Sequence, residues 1–143
     1  MIQQISNYFK RIGVDHAMDK EREALSFDVD TQTGSWQCLV LLHRQDRGRC
    51  SVGFYSTLPL QVPKSLRTDT ALYLMCLNNA RICGSFELDP QTGDLHFKTY
   101  TDFDSYHFSE RVIERNMLVN ISTMQEYMPR LMKMIERQQT QRA

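Results

Sequence analysis

Residues 25–43 read LSFDVDTQTGSWQCLVLLH, and this stretch decides the fold. Leu25, Phe27 and Val29 alternate with polar residues, which is the period-two pattern of a half-buried strand. Residues 30–35 include Asp and Gly, which favour a turn, and residues 36–43 continue as a second strand with few polar residues. The stretch therefore predicts a β-hairpin whose second strand is central in an antiparallel sheet.

Three helices are predicted around this hairpin. Apolar residues recur at spacings of three and four over residues 2–12, and Gly13 follows where a helix commonly ends. The same period predicts a second helix over residues 66–81 and a third helix from Ser109 onward. Pro129 is expected to kink or divide the third helix, because a proline interrupts the backbone hydrogen bonds.

The other predicted strands complete an α+β order. Alternating patterns predict them over residues 50–56, 82–88 and 95–100, while the charged residues 15–23 are expected to form a linker. The total is αβββαββα, an antiparallel sheet packed with helices. We expect a single domain over residues 1–143, with residues 138–143 frayed.

Composition narrows the range of partners. Lys plus Arg and Asp plus Glu number 17 each, so the formal net charge is zero and gives no electrostatic reason to expect nucleic acid or an acidic membrane. Residues 1–7 lack the apolar core of a signal peptide, and the longest apolar run, residues 38–42, is too short to span a bilayer. A cytoplasmic location is expected. The four cysteines form no C-x-x-C pair, so we expect reduced, mostly buried thiols.

No catalytic, cofactor or metal signature is present in the sequence. Nucleophile elbows, zinc-protease helices and glycine-rich phosphate loops are all missing, so we predict that the protein is not an enzyme and holds no cofactor. Asp28 and Asp30 resemble the start of a calcium loop, but Thr33 and Leu39 stand where its glycine and bidentate glutamate are needed. The four histidines lack ligand spacing, which leaves no predicted metal site.

Several short motifs carry a resemblance to a known family. They are Leu77-Asn78-Asn79, residues 84–89 and 92–97, residues 55–59 with Val62-Pro63, and residues 127–131. In this order they resemble the YbjN-like family, which adopts the type III secretion chaperone-like fold. The resemblance implies a bacterial, non-enzymatic and commonly dimeric protein, related in shape to chaperones that hold secreted clients, with regulatory roles for some members.

The central strand suggests where a partner protein would bind. If Trp36 and its alternate neighbours point to the helices, Leu39 and Leu41 point to the opposite sheet face, which is normally polar when solvated. Tyr55 and Tyr100 fall on that same face by parity, giving an apolar and aromatic patch suited to a subunit or client contact. The alternative is that the last helix or a terminal segment covers these residues internally.

The final helix adds a second candidate surface, because it is rich in methionine. Core filling is the favoured interpretation of these methionines, but an exposed Met-rich face, with Met124 and Met128 at its centre, suits promiscuous protein binding. We therefore predict a homodimeric protein-binding module, chaperone-like or regulatory, that engages a protein client. The alternative is a small-ligand sensor with a pocket between the last helix and the sheet.

Overall fold

A computed structural model of the protein describes residues 1–104 and 107–142, with side chains as far as Arg137. Its helices and strands, in chain order, are α1 (Ile2–Arg11), β1 (Ala17–Asp19), β2 (Ala24–Thr31), β3 (Gly34–Arg44), β4 (Arg49–Thr57), α2 (Arg67–Asn79), β5 (Ser85–Leu88), β6 (Leu95–Asp104) and α3 (Glu110–Arg142). The predicted fraying of residues 138–143 concerns a segment whose side chains lie outside this description.

All six strands form one antiparallel sheet in the order β1-β2-β3-β4-β6-β5. The hairpin predicted from residues 25–43 is β2 and β3, which pair from Thr31 opposite Gly34 to Ala24 opposite Leu41. Strand β3 lies between β2 and β4, so its predicted central position is confirmed. The α+β class with helices packed on an antiparallel sheet is confirmed as well.

One face of the sheet, which we call the inner face, carries the hydrophobic core. Trp36, Cys38, Val40 and Leu42 of β3 point into it and are buried. Helix α1 contacts this face through Phe9, whose ring meets that of Phe27 with centroids 5.5 Å apart. Helix α3 crosses the same face and buries a row of side chains at spacings of three and four: Ile113, Met117, Asn120, Met124, Met128, Leu131 and Ile135.

Helix α2 lies beside the edge of the sheet formed by β5. The amide group of Asn78 accepts a hydrogen bond from the Phe86 N–H at 2.7 Å and donates one to the Phe86 carbonyl at 2.9 Å. These two bonds satisfy backbone groups of β5 that point away from β6, so α2 closes this part of the sheet edge.

Three predictions about the strands are wrong, and the first concerns the end of β6, which lies at Asp104 instead of Tyr100. The segment predicted as a linker contains the short strand β1, which pairs with residues 24–26, so the order is αββββαββα. Strand β5 starts at Ser85 instead of Ile82, because Gly84 turns the backbone with φ +74. A Cβ atom at Gly84 would collide with the ring of Phe97, so the close approach also requires glycine there.

Pro129 does not divide the last helix, which runs from Glu110 to Arg142. Met124 and Met128 precede the proline and Leu131 and Ile135 follow it, and all four are buried. The proline costs about 3 kcal/mol in a helix interior, but packing on both sides of it stabilises the helical backbone.

Candidate functional site

The face of the sheet opposite the core, the outer face, brings together four of the residues predicted for protein binding. Leu39 of β3 pairs with Tyr55 of β4, while Leu41 pairs with Gly53, which in turn pairs with Tyr100 of β6. Partners in a register share a face, so the predicted parity is confirmed. We call Leu39, Leu41, Tyr55 and Tyr100 the outer-face patch.

Gly53 makes the patch continuous. A Cβ atom at this position would lie 2.7 Å from the Tyr55 ring, so that ring lies over the glycine backbone. It therefore lies on β4, between Leu41 of β3 and Tyr100 of β6. Leu39, Leu41 and Tyr55 are half-buried, and Tyr100 is 64% exposed. A glycine inside a strand often marks such a close approach, and this was the signal available in the sequence.

The described helices leave the patch uncovered. Helices α1 and α3 pack on the inner face, and α2 flanks the β5 edge. Neither the core nor the side chains packed against it include Leu39, Leu41, Tyr55 or Tyr100. The internal covering considered from the sequence is therefore absent in the part of the chain that the structure describes.

A polar chain of contacts borders the patch on the same face. The Tyr55 hydroxyl lies 3.2 Å from Nε2 of His43, and the Tyr55 ring meets His96 edge to face at 5.3 Å. His96 contacts the Glu87 carboxylate at 2.9 Å, and Lys98 pairs with that same carboxylate. Sequence reasoning missed this border, because it depends on the β5–β6 register, which alternation alone does not fix.

Electrostatics keep this border charged beside an apolar centre. Burial alone raises the pKa of Glu87, but hydrogen bonds from Lys98 and His96 outweigh it and lower that pKa. The hydrogen bond that Lys98 donates to Glu87 raises the pKa of Lys98. Burial raises the pKa of Tyr55, so this hydroxyl stays neutral at physiological pH. An apolar centre with a polar rim is the usual anatomy of a protein interface.

Met124 and Met128 do not belong to this surface. Their side chains are 0% and 2% exposed on the inner side of α3, and Met128 lies against Gly34 at the turn of the β2–β3 hairpin. Their proposed role in a binding surface is therefore wrong, because both fill the core. Thioethers suit this task, since the unbranched side chain adapts to irregular gaps.

Other features of the chain lie apart from the patch. At the turn between β3 and β4, Arg44 and Arg49 pair with Glu23 and Asp104. Within the described residues, no three His, Cys, Asp or Glu side chains are grouped in a way that suits a metal ion. Across the same residues, no helix has the length and apolarity needed to cross a membrane.

Helix α3 forms two clefts with the edges of the sheet, and both are open to solvent. One, of about 510 Å³, lies against β6, and the other, of about 540 Å³, lies against β2. Between them, buried side chains including Asn120 and Met124 fill the space under the helix. Both clefts are open to solvent, whereas a small-ligand site buries most of the surface of its ligand.

Comparison with known proteins supports the fold. Neither protein-family models nor curated proteins give a match to this sequence. Among solved structures, the chain is similar to one in the crystal structure of the ExsC–ExsE complex, with a TM-score of 0.59 and 15% sequence identity over 89% of this chain and 90% of that chain. The chain therefore has the type III secretion chaperone-like fold predicted from its sequence, while its resemblance to the YbjN-like family stays a prediction.

Proposed function

We propose that the protein is a non-enzymatic, homodimeric protein-binding module, chaperone-like or regulatory, that engages another polypeptide through the outer-face patch. The observation that carries this proposal is the position of the described helices. They leave two leucines and two tyrosines on a sheet face that is normally polar when it faces water. Uncovered apolar surface of this kind marks an interaction site in soluble proteins.

The composition of the patch favours a protein as the partner. Tyrosine is enriched at protein interfaces, and here Tyr55 and Tyr100 stand beside two leucines. The border of His43, His96 and the Glu87–Lys98 pair supplies polar groups of both signs. The similar solved structure is itself a complex of two different proteins, which is consistent with this proposal.

A second apolar surface allows self-association and client binding to occupy different places. Leu72 and Met75 on α2 are 57% and 66% exposed. They line a shallow, mainly apolar groove of about 430 Å³ together with Ala71, Leu88 and Pro90. We expect either the groove on α2 or the outer-face patch to join two copies of the chain. In both cases we expect the outer-face patch to be the main contact for another polypeptide.

The test is a charge substitution at the centre of the patch. Leu39→Asp/Leu41→Asp places two carboxylates at a contact that is dehydrated on binding. We therefore expect the affinity of association through the patch to fall by about a hundredfold or more. Sedimentation velocity measures self-association, and pull-down from native lysate measures client binding. Circular dichroism and thermal denaturation check that the variant folds.

Gln37→Asp is the matched control, because Gln37 lies on the same strand and face but outside the patch. It adds a charge to β3 and is expected to leave every association unchanged. If the double variant folds and associates as the wild type does, the outer-face patch is not the binding surface.

A further inference from the structure

Strand β6 is longer than its neighbour β5, and this leaves part of the sheet edge open. Strand β5 pairs with β6 only from Leu95 to Lys98. Residues 99–104 of β6 pair with β4 on one side. On the other side, none of the described residues, which exclude Ser105 and Tyr106, forms a strand against them.

The direction of the backbone groups identifies which of them lack partners. The Leu58 N–H donates to the Leu95 carbonyl at 2.8 Å, so the backbone of Leu95 faces β4. Because directions alternate along an antiparallel strand, Tyr100 and Asp102 face the open side. Within the described residues, their N–H and C=O groups have no backbone hydrogen bond on that side, whereas the next outward carbonyl, that of Asp104, accepts from His107 at 3.0 Å.

The open edge forms one wall of the cleft of about 510 Å³. The loop residues Ile82 and Gly84 stand at one end, and Val112 and Val119 of α3 form the opposite wall. Among the described residues, seven large apolar side chains are exposed, and three of them line this cleft: Ile82, Tyr100 and Val112. Exposed apolar groups are therefore concentrated where backbone groups are free.

One charged side chain in the cleft is also available to a ligand. Arg115 on α3 lines the cleft, is exposed, and makes no ion pair within the described part of the chain. By contrast, Asp102 is engaged, since its carboxylate accepts a hydrogen bond from Ser51. Arg115 is therefore a cation that has no ion-pair partner among the described residues, and this favours an acidic group on the ligand.

The opposite edge of the sheet differs in this respect. Beyond its pairing with β1, strand β2 borders the second cleft with Asp28 and Asp30, and Asp15 lies nearby. Charged side chains along an edge strand discourage pairing with another chain. The two open edges therefore differ, and the apolar one is at β6.

We propose that an extended segment of a partner protein binds along residues 99–104 as an added strand. An extended polypeptide backbone supplies donors and acceptors at the spacing of the outward N–H and C=O groups of Tyr100 and Asp102. Its alternate side chains are apolar and pack against Val112 and Val119, and an acidic residue contacts Arg115. This proposal rests on the proposed protein-binding function and adds a second binding site, which shares only Tyr100 with the outer-face patch.

The test uses the full chain and a phage-displayed library of ten-residue peptides. Peptides selected on the wild type are synthesised, and their affinities for wild type, Tyr100→Pro and Tyr100→Ala are measured by calorimetry. Proline removes the outward N–H and leaves the ladder with β4 intact, so we expect affinity to fall by about tenfold or more. Alanine keeps that N–H, and we expect it to retain more affinity than proline does. Thermal denaturation checks the fold of each variant.

A second measurement places the backbone of the peptide. Two series of peptides are made, one N-methylated at the odd-numbered residues and one at the even-numbered residues. We expect one series to lose binding and the other to keep it, because only every second residue of an added strand faces β6. Equal loss of binding in the two series contradicts strand addition.

Leu39→Asp/Leu41→Asp separates this proposal from the proposed function, because we expect it to bind the selected peptides as the wild type does. Peptides that lose affinity for this variant but not for Tyr100→Pro occupy the outer-face patch, and strand addition is then wrong while the proposed function stands. Failure to select any peptide overturns strand addition. A dimer that becomes a monomer through Tyr100→Pro but not through Tyr100→Ala also overturns it, because the edge then pairs with a second copy.

Discussion

At the scale of single residues, the four cysteines divide into two chemical classes. Cys38 lies on the inner face of β3, and burial raises the pKa of its thiol to about 12. Cys50 is also buried, and burial raises its pKa. Cys76 and Cys83 are exposed, and all four are free thiols. The sequence predicted mostly buried thiols, and it missed the exposure of the latter two, which depends on how α2 and the following loop are oriented.

This division predicts a two-step thiol titration. The thiolate is the reactive form and must be accessible, so at pH 8 we expect Cys76 and Cys83 of the native protein to react with iodoacetamide. Cys38 and Cys50 are expected to react only after unfolding. Peptide mass spectrometry identifies the labelled positions. Rapid labelling of Cys38 in the folded protein contradicts the burial of its side chain on the inner face of the sheet.

Which face each strand residue occupies could be predicted, and the contacts within that face could not. Alternation placed Leu39, Leu41, Tyr55 and Tyr100 on one side, because the side-chain period of a strand is two. The position of the Tyr55 ring over Gly53 depends on the strand register and on a side-chain rotamer. Neither quantity can be inferred from a single alternating pattern.

At the scale of elements, Asn120 fixes helix α3 to the sheet. This fully buried amide donates to the carbonyls of Phe54 and Phe97 at 2.8 and 3.0 Å and accepts from Ser56 Oγ at 2.5 Å. Ser56 in turn accepts from Nε1 of Trp36 at 2.9 Å. The network therefore joins α3 to strands β3, β4 and β6 at one point.

Removal of this amide is expected to destabilise the whole domain. Asn120→Ala leaves Ser56 without its acceptor and opens a small cavity, so we expect a loss of about 2–4 kcal/mol in the free energy of unfolding. Urea denaturation measures this difference. Ser122→Ala, on the exposed side of the same helix, is the control and is expected to stay within about 0.5 kcal/mol of the wild type. A similarly small effect at Asn120 contradicts its anchoring role.

Most elements and their order could be predicted, because long apolar periodicities indicate helices and strands directly. Strand β1 was missed because its three residues, Ala17–Asp19, are too few to show alternation. Strand β5 was predicted too long because Ile82 is apolar, although it is fully exposed. The continuity of α3 through Pro129 depends on core contacts on both sides, which a local rule for proline does not include.

At the scale of the whole molecule, the packing of the helices determines which surface is left for partners. Three helices can cover one or both faces of a sheet, and the sequence left both arrangements open. The structure packs α1 and α3 on the inner face and α2 at the β5 edge. The outer-face patch follows from this arrangement, since it consists of apolar residues on the face that the described helices leave uncovered.

Site-specific photo-cross-linking in native cells tests most directly whether the outer-face patch binds another polypeptide. A benzophenone-bearing phenylalanine analogue replaces Tyr55 in one variant and Ile12, an exposed apolar residue just after α1, in the other. We predict that irradiation joins the Tyr55 variant to a second copy or to a client, as seen by gel shift and mass spectrometry, and that the Ile12 variant gives no such product. Absence of adducts at Tyr55, or equal adducts at both positions, contradicts the proposed role of the patch.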